Sequence, residues 1–244
     1  MTTDLTTTAL PSAEQNAVAA FCESIQETLG DALVSIALYG SATREDYMPG
    51  ISDANILVVT THLDLPTMKK VLDPVAISRQ YALAPFFLTD ENLRSSTDIF
   101  PIKFFVMKES YRILMGHDIL RDIDIGPEHL RLRCEQETMN ILLRLRRYYI
   151  LHSGRLLIDV MSRMINSLID ILYVLVWLKQ GSTVQREQII EVTAKIFDFD
   201  AEILRNITAL RITEVSLSAG DAEHLYDQFL AVVSRIAEQV DQME

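Results

Sequence analysis

The sequence predicts an α+β protein in which a mixed β-sheet with flanking helices is followed by an all-α helical bundle. Up to about residue 107, short apolar runs stopped by Gly or Pro alternate with amphipathic stretches, the signature of strands and helices in one layer. From Gly126-Pro127 onward the apolar residues recur only at helical spacing. With 49% hydrophobic residues in a chain of 244, each part can bury a core. The expected division is a disordered Thr-rich stretch at 1–10, an α/β domain over 11–126 and a helical bundle over 127–244.

Taken in order, Ser12 and Gln15 form a capping-box pattern ahead of Ala17, Val18, Phe21, Ile25 and Leu29, which predicts a helix over 12–29 ended by Gly30. Leu33 to Tyr39 is a short apolar run stopped by Gly40, and Asn55 to Thr60 is another; both predict buried strands. Asp64 is placed to cap a helix running to about Tyr81. Ala84 to Leu88 predicts a third strand, with Thr89 capping a turn of helix to Leu93. Pro101 to Met107 predicts a fourth strand, Pro101 standing at its first position where a missing N–H is tolerated. The bundle is expected as helices over 128–152, 156–179, 184–197, 201–210 and 221–243, several separated by Gly154, Gly181 and Gly220.

Composition excludes several classes of function. A net charge of −12 argues against a general nucleic-acid binder, which needs many clustered cations to release phosphate counterions. Asp170 interrupts the most apolar segment, Ile165 to Leu178, and Asp159 and Arg163 precede it, so no uncharged span of the length a membrane needs is present, and a soluble cytoplasmic protein without membrane contact is expected. Cys22 and Cys134 stand far apart and read as buried thiols. The histidines at 62, 117, 129, 152 and 224 have no His-x-x-x-His spacing for zinc.

The chemistry is concentrated in Leu38-Tyr39-Gly40-Ser41 and, after a polar loop through Pro49-Gly50, in Ser52-Asp53-Ala54-Asn55. Strand, Gly-Ser, about a dozen residues and an acidic position opening the next strand resembles the nucleotidyltransferase superfamily of the DNA polymerase β and kanamycin nucleotidyltransferase type, over roughly Leu33 to Met107. The downstream bundle is similar to the helical domains that follow this fold in bacterial members. The resemblance implies that Gly40 lets the backbone approach a nucleoside triphosphate and that Ser41 offers a hydroxyl and an N–H to its phosphates. It implies Mg²⁺ held by two carboxylates two residues apart on one strand face and by a third from a neighbouring strand.

The sequence departs from that pattern where the charge should be. Asp53 is acidic, but the second position is Asn55, and Lys103 stands where the expected fourth strand would carry the third acid. Formal ligand charge then falls from −3 to 0 and Lys103 can pair with Asp53. The reading is a nucleotidyltransferase fold with a dead or weakened metal site, needing no metal cofactor and keeping a nucleotide-binding or regulatory role. Two alternatives stay open. One is an active Mg²⁺-dependent enzyme with a rearranged site that recruits Asp46, Glu45 or Asp98 beside Asp53.

The other alternative is a helical interaction or RNA-processing module on an inert platform. Arg147 and His152 fit the Arg-x4-His spacing of helical ribonucleases of the HEPN family, a spacing that the chain's five histidines and many arginines also produce by chance. Between Arg131 and Arg163 seven arginines face three acids, and Arg133, Glu137, Asn140, Arg144 and Arg147 share one helical face. Arg144 and Arg147 are candidate phosphate contacts, against the plainer reading of a solvated face laced with ion pairs. The helix around Met161 to Val176 is apolar on more than one side, which suits a bundle core or a homodimer contact.

Overall fold

In the computed structural model, residues 9–152, 156–210, 212 and 217–243 are described. The chain divides into two compact units that meet between Ile125 and Gly126. Most of the expected disordered stretch at 1–10 lies outside the described residues, as do Gly154 and Arg155. Leu10, however, is buried in the core of the first unit.

In the first unit α1 (Ser12–Leu29) leads into β1 (Leu33–Tyr39), and a polar loop joins β1 to β2 (Ala54–Thr60). The short helices α2 (Leu65–Lys70) and α3 (Leu72–Ser78) precede β3 (Leu83–Thr89). Then come α4 (Asp90–Ser95), α5 (Pro101–Glu109) and β4 (Tyr111–Gly116). The sheet order is β3-β2-β1-β4, with β1 antiparallel to both neighbours and β2 parallel to β3. The two central strands are apolar on both sides because both faces are covered. Ile36, Leu38, Ile56 and Val58 pack with Val18, Phe21, Cys22 and Ile25 of α1. On the opposite face Ala37, Leu57 and Val59 pack with Leu93, Phe104, Met107 and the segment carrying Ile119, Leu120 and Ile123.

Local chemistry explains most boundaries. The Asp64 carboxylate accepts from the Thr67 N–H at 2.9 Å and hydroxyl at 2.6 Å, and Thr89 accepts from the Asn92 N–H at 3.0 Å. The capping box at Ser12 and Gln15 is not formed. The Gln15 amide instead reaches back to the Leu10 carbonyl at 2.7 Å, tying Leu10 into the core.

The expected fourth strand over 101–107 is a helix. Pro101 occupies the first turn, where its missing N–H costs nothing, and Pro101, Phe104, Phe105 and Met107 are buried at helical spacing. The fourth strand is β4, which pairs with β1 so that Tyr111 stands opposite Tyr39.

The second unit comprises α6 (Pro127–His152), α7 (Leu157–Gln180), α8 (Ile189–Phe197), α9 (Ala201–Leu210) and α10 (Ala219–Asp241). Among the described residues α7 is the one helix long and apolar enough to cross a membrane. Its apolar circumference is used inside the unit, with Leu157, Met161, Ile165, Leu168 and the run Ile171 to Val176 buried. The Tyr226 hydroxyl donates to the Leu145 carbonyl at 2.5 Å, fixing α10 against α6.

Candidate functional site

The β1–β2 hairpin brings the two halves of the sequence motif to one end of the sheet. Tyr39 is level with Asn55 across the strand pair, so Gly40 begins beside the Asn55 side chain. Gly40 has φ +76°, and a Cβ there would lie 3.5 Å from Asn55 Nδ2. The residue is thus glycine for its backbone angle rather than for lack of space. A single turn over Gly40–Thr43 follows. The Gly40 N–H donates to the Ser110 carbonyl at 2.9 Å, and the Thr43 hydroxyl is 2.8 Å from the Gly40 carbonyl and 2.6 Å from the Ser110 hydroxyl. These bonds pin the turn to the α5–β4 junction. They also commit the Gly40 N–H, leaving the partly buried Ser41 as the other member of the pair expected to meet phosphate.

The loop from Arg44 to Asp53 holds itself in place. Arg44 grips Asp46 with two bonds, Nε at 3.0 Å and a terminal nitrogen at 2.9 Å, and the Ser52 hydroxyl accepts from the Met48 N–H at 3.3 Å. Asp53 is exposed, and Ala54 behind it is fully buried. The Tyr47 hydroxyl is shifted to higher pKa by burial and then by the nearby charges of Glu14 and Asp53. Asn55 donates back to the Asp53 carbonyl at 3.4 Å.

Among the described residues no strand carries an acid. The four strands read LVSIALY, ANILVVT, LAPFFLT and YRILMG, with no Asp or Glu in any of them. Level with Asn55 stand Ala84 on β3 and Tyr39 on β1, and Tyr111 on β4 continues the row. Both tyrosines are pushed up to about 12, Tyr39 by burial and Tyr111 by burial followed by its bond to Asp118. Asp118 accepts from the Tyr111 hydroxyl at 2.9 Å and from the Arg121 N–H at 3.2 Å. Level with Asn55 this sheet end therefore presents a methyl group and phenols, with the carboxylates of Asp53 at the strand start and of Asp118 beside Tyr111.

Lys103 is displaced from the role expected of it, since it lies on α5 and not on a strand. Its ammonium sits 3.4 Å from the centroid of the Phe86 ring, with its pKa lowered by burial. Phe86 is level with Leu57, so Lys103 covers the same sheet face as Asn55, one alternation further along. The ion pair expected between Lys103 and Asp53 is not formed. Among the alternatives for a rearranged site, Asp46 is held by Arg44, and Glu45 and Asp98 are exposed.

This donor set does not fit Mg²⁺. Among the described residues no three His, Cys, Asp or Glu side chains converge. Each carboxylate missing at about 4 Å removes on the order of 8 kcal/mol of gross attraction for a divalent ion at an effective dielectric of about 20. An amide oxygen does not replace it for a hard ion that dehydrates reluctantly.

In the helical unit, part of the expected cationic face is neutralised along α6. Arg133 pairs with Glu137 at 2.6 Å and Arg131 with Glu135 at 3.1 Å. Arg144, Arg146 and Arg147 are exposed and pair with no described acid. His152, the other half of the Arg-x4-His spacing, has its ring against Tyr148 at 4.3 Å between centroids.

Sequence reasoning found Gly40, Asp53 and Asn55 but not Ser110, Tyr111 and Asp118. Tyr111 arrives through the β1–β4 pairing, Ser110 directly precedes that strand and Asp118 is joined by its bond to the Tyr111 hydroxyl; none carries a motif of its own.

No family model and no curated protein matches the sequence. Among solved structures the chain is similar to spectinomycin adenyltransferase AAD(9) from Enterococcus faecialis, solved with ATP and spectinomycin. The TM-score is 0.61 at 9% identity, covering 93% of this chain and 99% of that chain. At that identity the likeness is one of fold, and it spans both units: a nucleotidyltransferase-like α/β unit followed by a helical one.

Proposed function

We propose that this chain is a nucleotidyltransferase-fold protein that has lost divalent-metal catalysis and retains a nucleotide- or anion-binding, regulatory role. The observation that carries the reading is that, among the described residues, none of the four strands carries an acid, with Asn55 two residues after Asp53. Nucleotidyl transfer by this fold rests on carboxylates that hold metal against a triphosphate, and a single exposed Asp53 cannot hold it with useful affinity. Polar groups suited to a phosphate remain at Ser41, and Arg144 and Arg147, which pair with no described acid, are candidates in the helical unit. ATP is the ligand to test first, because the similar solved enzyme was determined with it.

Isothermal titration of the full chain with ATP, in Mg²⁺ and in EDTA, tests the proposal alongside a pyrophosphate-release assay. Weak binding that is indifferent to Mg²⁺, with no pyrophosphate released, is expected. Tight Mg²⁺-dependent binding together with pyrophosphate release abolished by Asp53→Ala would overturn it in favour of an active enzyme.

A further inference from the structure

The first long helix of the bundle carries an apolar stripe on its solvent side. Leu132, Met139, Leu143 and Ile150 are exposed to 47%, 43%, 53% and 76%. Residues 7, 11 and 18 positions apart in an α-helix return to within about 20° of one direction, so these four form a straight line about 27 Å long. The buried residues Leu130, Cys134, Ile141 and Leu145 lie on the other side of α6 and pack within the unit. A surface helix with one covered face should be polar opposite it; this one is apolar on both.

Charge along the stripe indicates its occupant. The acids flanking it, Glu128 and Glu135, lie in the N-terminal half of α6, and the exposed Arg144, Arg146 and Arg147 lie in the C-terminal half. Glu135, which also holds Arg131 of its own helix at 3.1 Å, and the exposed Arg146 border the same edge of the stripe, six residues before and five after its midpoint at position 141. A second copy of α6 laid antiparallel would place Leu132 of one copy on Ile150 of the other and Met139 on Leu143. The same two-fold sets Glu135 of each copy beside Arg146 of the other. A parallel pairing would set like charge on like.

We propose that α6 is the interface of an antiparallel homodimer, closed by this stripe and by two reciprocal Glu135–Arg146 pairs. The apolar line excludes water, and the charge polarity fixes direction and register.

Sedimentation equilibrium and light scattering of the full chain test it. The expected mass is twice the 27.7 kDa of one chain. Leu143→Glu, at an exposed position, should give a monomer with unchanged circular dichroism. Glu135→Arg and Arg146→Glu should each weaken the dimer at least about tenfold, and the double variant should recover most of the loss. A wild-type chain that stays monomeric, a dimer that survives Leu143→Glu, or charge reversals without mutual rescue would overturn the proposal.

Discussion

Returning a carboxylate at Asn55 is the most informative perturbation of the candidate site. Asn55→Asp is nearly isosteric, and the neighbouring Gly40 backbone has room for it, since even an added Cβ would lie 3.5 Å from the amide nitrogen. What changes is charge and one weak bond, the 3.4 Å donation to the Asp53 carbonyl. Two residues along a strand are separated by about 6.6 Å, where like charges at an effective dielectric of about 20 repel by roughly 2.5 kcal/mol. Solvent at the exposed Asp53 screens this to about 1 kcal/mol, which lowers the melting temperature by roughly 2–5 °C in EDTA. Mg²⁺ reverses the sign. The restored carboxylate adds on the order of 8 kcal/mol of gross attraction, and if desolvation leaves one fifth of it, Mg²⁺ binding tightens more than tenfold. Calorimetric melting of wild type and variant in EDTA and in Mg²⁺ reads both effects. The variant should melt below wild type in EDTA and gain more from Mg²⁺. If wild type gains as much, it already holds the metal; if the variant gains nothing, residues 53 and 55 do not converge on one ion. Either result refutes a metal site lost through these residues.

Further expectations concern the frame of the same unit. Gly116→Ala should be far more damaging than Gly40→Ala. A Cβ at Gly116 would meet the Val34 carbonyl oxygen at 2.1 Å, whereas the Gly40 substitution meets only an ordinary contact and the cost of its positive φ. Losses of at least about 3 kcal/mol against about 1–2 kcal/mol are expected in urea titrations. Equal losses would contradict the close approach of β4 to β1. Alkali should unfold this unit: Cys22, Tyr39 and Tyr111 are all pushed up to about 12, from ordinary values of 9.0 for the thiol and 10.0 for the phenols. The folded state keeps their protons where the unfolded chain releases them. Their contribution is therefore complete below about pH 9 and is lost as pH rises towards 12. Part of the tyrosinate absorbance should appear only as circular dichroism is lost; full ionisation with the fold intact would show these phenols to be solvated.

Much of this architecture is legible from local patterns. The helix over 12–29 and the strand over 33–39 match the observed elements residue for residue, because Gly30 and Gly40 punctuate strong and different periodicities. The misreading at 101–107 shows where periodicity alone is ambiguous. Phe104-Phe105-Val106-Met107 is a continuous apolar run that suits a buried strand, yet Pro101, Phe104, Phe105 and Met107 also fit a helix face, and packing on Leu57 and Val59 selects the helix. Losing that strand hid β4, whose Arg112 and the absence of a Gly or Pro ahead of it obscure the signal. It also misplaced Lys103. The candidate site divides the same way. Gly40, Asp53 and Asn55 follow from one hairpin and can be read in line, while Tyr111 reaches the sheet end by a pairing between residues more than seventy positions apart and meets Asp118 there through its hydroxyl.

That this fold does not depend on charges at the end of the sheet follows from where its stability resides. The two cores of the α/β unit rest on Ile36, Leu38, Ile56 and Val58 on one face and Ala37, Leu57, Val59 and Phe104 on the other. None of these interactions requires a carboxylate at the end of the sheet. Carboxylates gathered there without a cation repel one another, and a site built for metal is stable chiefly when the metal is bound. A sheet end that carries Asn55, Ala84, Tyr39 and Tyr111 has no such repulsion and, through the Tyr111–Asp118 bond, gains a polar contact. On the proposed reading, neutral packing in place of charge stabilises the frame at the expense of catalysis, the usual direction of the trade between stability and activity. On this account the metal-free chain should be more stable with the residues it has than with the acids restored, which is the ordering that Asn55→Asp measures.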